Sequence, residues 1–215
     1  MRVQIFIDGG NLHHLALKPL GIKEINFSFE AFANFLAAGR TISEKGKRFY
    51  IGTVCEKEGD ERSKIAMARQ TKLFNELKKT AWEIKTSKLR ERTEKILIDN
   101  RVVDFQKFKN LGINEVVYQT FKEKGIDVKI ATDLVAAAFD DKYDTAIIVS
   151  SDTDLVPMID WLRFRLKKKI EYVGFSLLDK TESNSNTQPI QALISRTDNQ
   201  RILVENDIRK FVISN

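Results

Sequence analysis

Two short apolar runs set the frame into which the rest of this chain has to fit. Val3-Gln4-Ile5-Phe6-Ile7 lies near the start, and Ala146-Ile147-Ile148-Val149 lies far downstream. The second run is nearly unbroken, the pattern of a strand buried on both faces of a parallel sheet. Each run leads straight into acid: Asp8 in the string FIDGGN, and Asp152 and Asp154 in the string SSDTDLVP.

Around these runs, strands alternate with helices. A helix is predicted over 27–38, with Ser28 as its N-cap and Gly39 just past its end. Residues 47–54 read as a strand, 58–60 as a turn, 60–79 as a long helix and 82–86 as extended chain. The charged stretch 87–95 reads as a loop or hairpin, and 117–124 as a short helix or turn broken by Gly125. Asp127 then caps a helix over 128–141, in which Ile130, Leu134 and Ala138 share a face. A helix over 154–169 tolerates Pro157 in its first turn, and a strand follows at 171–175. This alternation implies an α/β fold of three layers, with helices on both faces of a mainly parallel central sheet and right-handed crossovers. Ligands bind such sheets beyond the carboxyl ends of the strands, so both acid groups belong to the binding rim.

At 215 residues the chain suits one large domain, or a domain with a small appendage. The division expected is a principal domain over 1–178, a polar surface loop over 179–189, and a terminal segment over 190–215 docked on the same domain. With 42% hydrophobic and 31% charged residues, the composition is that of a globular protein rather than a disordered or membrane-embedded one. The start lacks the features of a secretory signal, so the chain reads as cytoplasmic. Cys55 is the single cysteine and His13 and His14 are the two histidines, which excludes an internal disulfide and a structural zinc site. The net charge of +6 favours a polyanionic partner, and homo-oligomer formation is left open.

Carboxylates gathered at one rim repel one another and take up protons unless a cation joins them. All-oxygen donors suit Mg2+ or Mn2+, which keep some waters and leave positions open for phosphate oxygens. Asp8 is the central candidate, Asn11 its polar partner, and Asp152 and Asp154 further ligands. Gly9 and Gly10 let backbone pass close by.

Three strings, FIDGGNL, KEKGIDVKIATDLV and SSDTDLVPMIDWL, resemble in pattern and order the motifs of the NYN domains, part of the PIN-like group of metal-dependent nucleases. YVGFS resembles the strand that follows. The resemblance spans residues 1 to about 178 and is weakest between residues 20 and 80. It implies a PIN-like fold, Mg2+ or Mn2+ held by Asp8, Asp133, Asp152 and Asp154, and endonucleolytic cleavage of RNA.

Each candidate has a structural competitor. Asp8 and Asn11 could shape a turn, Asp154 could cap its helix, and Asp133 could be a solvated helix residue. Lys124, Lys129, Lys88 and Arg90 are candidate substrate contacts set against ordinary surface cations, with Ser150 set against a serine that satisfies backbone and His13 and His14 as weaker candidates. The cations at 163–169 fit the negative end of a helix without any nucleic acid. The other function weighed is a non-catalytic RNA-binding or regulatory module of the same fold. A phospho-aspartate phosphatase is disfavoured because Gly10 stands where a second acid is usual. Neither a Walker loop nor a dinucleotide-binding turn is present.

Overall fold

The computed structural model describes residues 1–54, 59–122, 125–178 and 186–213, and only the backbone at 90, 91, 121 and 122. Eight strands occur among them: β1 Arg2–Asp8, β2 Thr41–Thr53, β3 Glu83–Lys88, β4 Arg90–Leu97, β5 Glu115–Lys122, β6 Thr145–Val149, β7 Lys169–Phe175 and β8 Asn199–Leu203. The helices are α1 Gly9–Leu12, α2 Phe29–Ala37, α3 Glu61–Lys79, α4 Phe105–Asn110, α5 Ile126–Phe139, α6 Val156–Arg165, α7 Gln191–Arg196 and α8 Glu205–Arg209.

Six strands form one sheet in the order β3-β2-β1-β6-β7-β8, and every pairing in it is parallel. The expected α/β class and layering hold. β1 and β6 lie side by side, yet the chain leaves β1 toward β2 and leaves β6 toward β7. Strand order therefore reverses between them, and a crevice opens beyond their carboxyl ends.

Alternation along β1 divides the core in two. Val3, Ile5 and Ile7 face one side, against Phe29, Phe32 and Leu36 of α2, Leu73 and Leu77 of α3, and Ile208 of α8. Phe6 faces the other side with Ile130 and Leu134 of α5, Ile159 and Leu162 of α6, and Leu193 of α7. Each fully buried Leu, Ile or Phe contributes about 1.5–3 kcal/mol, so the two layers together clamp the rim in place. Glu171 on β7 adds a polar lock: Arg40, after α2, reaches it at 2.5 and 2.9 Å, and Arg201 on β8 at 3.0 Å. β8, α7 and α8 come from the terminal segment, so that segment supplies the sheet's sixth strand.

Several local expectations change. Residues 115–122 form a strand, not the short helix or turn expected at 117–124, because they pair antiparallel with β4 across a long connection. β2 starts at Thr41, ahead of the expected 47, with a bulge opposite Val3 and Ile5. Gly125, at φ 85°, occupies the N-cap of α5, which moves Asp127 into the first turn. Most of the polar loop at 179–189, together with Cys55 and Lys124, lies outside the described residues.

Candidate functional site

Asp8 ends β1 and caps the short helix α1. Its carboxylate accepts the Asn11 backbone N–H at 3.0 Å and the Asn11 side-chain amide at 2.5 Å. The Asn11 carbonyl oxygen in turn accepts the Ser151 N–H at 3.4 Å and the Ser151 hydroxyl. Asn11 thus ties the end of β1 to the loop after β6. Gly9 makes the sharp turn possible, since a Cβ there would stand 2.5 Å from the Phe49 ring and 3.0 Å from the Tyr50 carbonyl.

Beyond β6 the loop is braced from within. The Ser150 hydroxyl, buried, accepts the Asp152 N–H at 3.2 Å, and Asp152 accepts the Asp154 N–H at 2.8 Å as cap of the 3-10 turn Thr153–Leu155. Asp152, not Asp154, is the capping residue, because the helical turn begins at Thr153, ahead of the start expected at 154. Asp154 is exposed and does not line the cleft.

The cleft at the switch point has a volume of about 290 Å³ and is lined by Asp8, Gly10, Asn11, His14, Leu15, Gly125, Ile126, Asp127 and Asp152. Three carboxylates face it, and among the described residues no lysine or arginine does. Burial raises the Asp8 carboxyl above the usual aspartate range despite its bonds to Asn11, and Asp152 adds repulsion. Asp127 is pushed up to about 6, first by burial and then by the charge and hydrogen bond of Asp152 and by the charge of Asp8. His14 is held below its ordinary value by burial and by His13 and Lys18, so its imidazole is neutral at pH 7.

Asp127 is the site residue that reading the sequence missed. Its signal was its place in the first turn of a helix whose start lies on the rim. Asp133, expected as a ligand, is not brought to the cleft. It accepts the Tyr50 hydroxyl at 2.9 Å, lies 3.9 Å from Lys85, and lines a separate hollow of about 390 Å³ with Arg2, Gln4 and Arg48. Six residues along a helix is about 9 Å, which carries Asp133 down from the rim on to β2.

Among the expected substrate contacts, Lys129 donates to the Thr86 carbonyl and so pins α5 to β3. Lys88 is exposed at the end of β3, and the side chain of Arg90 and all of Lys124 lie outside the described residues. His13 pairs with Glu24 at 2.5 Å. Arg163 is held by Asp198 and Lys168 by Asp141, so these two cations serve the fold.

The cleft's donors are all oxygen apart from His14, which suits a hard divalent cation, and its carboxyls, raised first by burial, also repel one another, a conflict that a cation removes. As they stand, no three acidic, histidine or cysteine side chains among the described residues converge to ligate one ion. Mg2+ commonly retains several waters, so one or two direct carboxylates with the rest acting through water satisfy its chemistry. By that donor chemistry Asp8, Asp127 and Asp152 fit the group.

No helix among the described residues is long and apolar enough to cross a membrane. No curated protein matches the chain in sequence. A solved structure of a protein of unknown function from Vibrio parahaemolyticus superposes with a TM-score of 0.52 at 17% identity, covering 94% of this chain and 92% of that one. The match is one of fold. The profile of the NYN domain, a PIN-like nuclease fold, matches residues 2–197, and the chain accordingly belongs to the NYN domain family.

Proposed function

We propose that this protein is a divalent-metal-dependent endoribonuclease of the cytoplasm, hydrolysing phosphodiester bonds of RNA with water as nucleophile. The observation that carries the reading is the cleft at the β1–β6 switch point, where Asp8, Asp127 and Asp152 meet with no lysine or arginine among the described lining residues. Asp8, Asp127 and Asp152 would hold Mg2+ or Mn2+, which supplies water activation and stabilises charge on the phosphate and leaving oxygens. Asn11 fixes the Asp8 carboxylate through two hydrogen bonds and holds the opposite wall through Ser151. Neutral His14 offers a hydrogen bond to a phosphate oxygen or leaving group, and Lys88, exposed on the same rim, supplies charge for the RNA backbone. Asp154 acts, on this reading, only through water.

Among the described residues no three ligating groups converge on one point, which favours a second reading, a non-catalytic RNA-binding module. One experiment separates the two. Purified protein is incubated with mixed RNA and Mg2+ or Mn2+, with and without chelator, beside Asp8→Asn and Asp152→Asn. Cleavage that needs the metal and both aspartates supports the nuclease. Salt-sensitive RNA binding without cleavage under any metal supports the module, and metal-independent cleavage sinks both.

A further inference from the structure

Between β3 and α5 the chain leaves the body of the domain as an arm. β4 and β5 pair with each other and with no other strand among the described residues, and α4 lies between them in sequence. Exposed apolar side chains concentrate here, including Ile96, Leu97, Val103, Leu111, Val116 and Val117. A lone two-stranded sheet is marginal in water, and an apolar surface of this kind marks an interaction site.

The arm's edge has a definite polarity. Ile98 donates its N–H to the Asn114 carbonyl at 2.9 Å, and the register pairs Ile96 with Val116, Glu94 with Tyr118 and Arg92 with Thr120. In an antiparallel pair the bonded positions alternate, so the even-numbered residues of β4 turn their main-chain groups toward β5. Thr93, Lys95 and Leu97 turn theirs outward, to an edge with no partner strand among the described residues.

Which strand could add there is limited by charge. Two copies of β4 meeting antiparallel about a two-fold axis must set one residue opposite itself. Centring on Arg92, Glu94 or Lys95 opposes like charges directly, which is destabilising. Centring on Thr93 instead lays Arg92 of each copy across from Glu94 of the other, and Leu97 across from Leu89. It also brings the outward N–H and C=O of Thr93 to those of its counterpart. The Arg92 side chain is exposed and makes no hydrogen bond or ion pair among the described residues, so its charge is available for such a partner.

We propose that the arm is a self-association element, through which two copies of this chain join edge to edge along β4, centred on Thr93, into a four-stranded sheet β5-β4-β4-β5. Charges that would otherwise guard an edge become the key that sets its register. The interface is independent of the cleft and of its chemistry.

The test is the molar mass of the full chain by light scattering and sedimentation over a range of concentrations. Wild type is expected as a dimer in equilibrium with monomer. Arg92→Glu and Glu94→Arg should each weaken association about tenfold, and the two together should restore it, as opposed charges exchange places. Thr93→Pro removes an N–H that points away from β5, so the arm keeps its own pairing while dimerisation is lost. Unchanged far-ultraviolet circular dichroism shows that each variant is folded. A monomer at every concentration, or a dimer indifferent to both charge swaps, would overturn the proposal. So would a mass increase seen only with added RNA, which would make the arm a nucleic-acid contact.

Discussion

Asp127 and Asp152 stand carboxyl to carboxyl across the cleft, within hydrogen-bonding reach, although one belongs to the first turn of α5 and the other follows β6. Two acids placed so share a proton or a cation, and Asp8 behind them makes the choice sharper. This pairing sets the behaviour expected of the metal-free protein.

With its carboxyl pushed up to about 6 from an ordinary 3.8, Asp127 keeps in the folded state a proton that the unfolded chain gives up. Its effect on stability is therefore neutral at low pH, and stability falls as pH rises from about 4 to about 6 and stays lower above that. Asp127→Asn should remove this fall, so in chelator the variant melts higher than wild type at pH 7. Added Mg2+ should raise the melting temperature of wild type more than that of the variant, and RNA cleavage should be lost in the variant. Parallel pH profiles for the two proteins would reject the assignment.

Asn11 occupies one position and braces two walls, so Asn11→Ala should cost about 1–3 kcal/mol of stability in urea titrations. It should also slow cleavage by about 10–100-fold, through kcat more than KM, because Asp8 would lose its orientation. A variant that is destabilised but cleaves at the wild-type rate would reduce Asn11 to a structural role.

The three-layer fold and two of the three cleft carboxylates were legible in the sequence, since β1 and β6 are apolar runs and Asp8 and Asp152 follow them directly. Asp127 was harder, because a helix hides which of its acids faces the rim. Asp127 and Asp133 differ by six residues, which is about 240° around the axis and 9 Å along it. The local pattern could not choose between them, and the resemblance to NYN motifs favoured Asp133, which lines a different hollow. The arm was illegible for another reason. β5 pairs with residues some 25 positions earlier, and the charged flanks of both strands carry no clear alternation. A strand whose partner is remote and whose faces are both exposed leaves little periodic trace.

The displacement of Asp133 is itself testable. Asp133→Asn keeps an oxygen for the Tyr50 hydroxyl, so the variant should stay folded and cleave within about threefold of wild type. Asp8→Asn, measured beside it, should lose about 100-fold or more. Initial rates on one RNA with Mn2+ decide the matter. Equal losses in the two variants would return Asp133 to the cleft.

Far from the cleft, Glu171 governs behaviour in acid. Burial pushes its carboxyl up, but the hydrogen bonds and charge of Arg40, with the charge of Arg201 and a bond from Asn199, outweigh that and hold it below its ordinary 4.5. The folded state thus binds a proton less readily than the unfolded chain. The stabilisation is fully present above about 4.5 and is lost as pH falls through the lowered folded value. Glu171→Gln leaves two guanidinium groups facing a neutral amide in a buried setting, at a cost of about 3 kcal/mol at neutral pH. Urea midpoints should therefore differ clearly between wild type and variant at pH 7, and the gap should narrow as the solution is acidified below that window. A gap that is constant with pH would mean that Glu171 contributes by packing and not by charge.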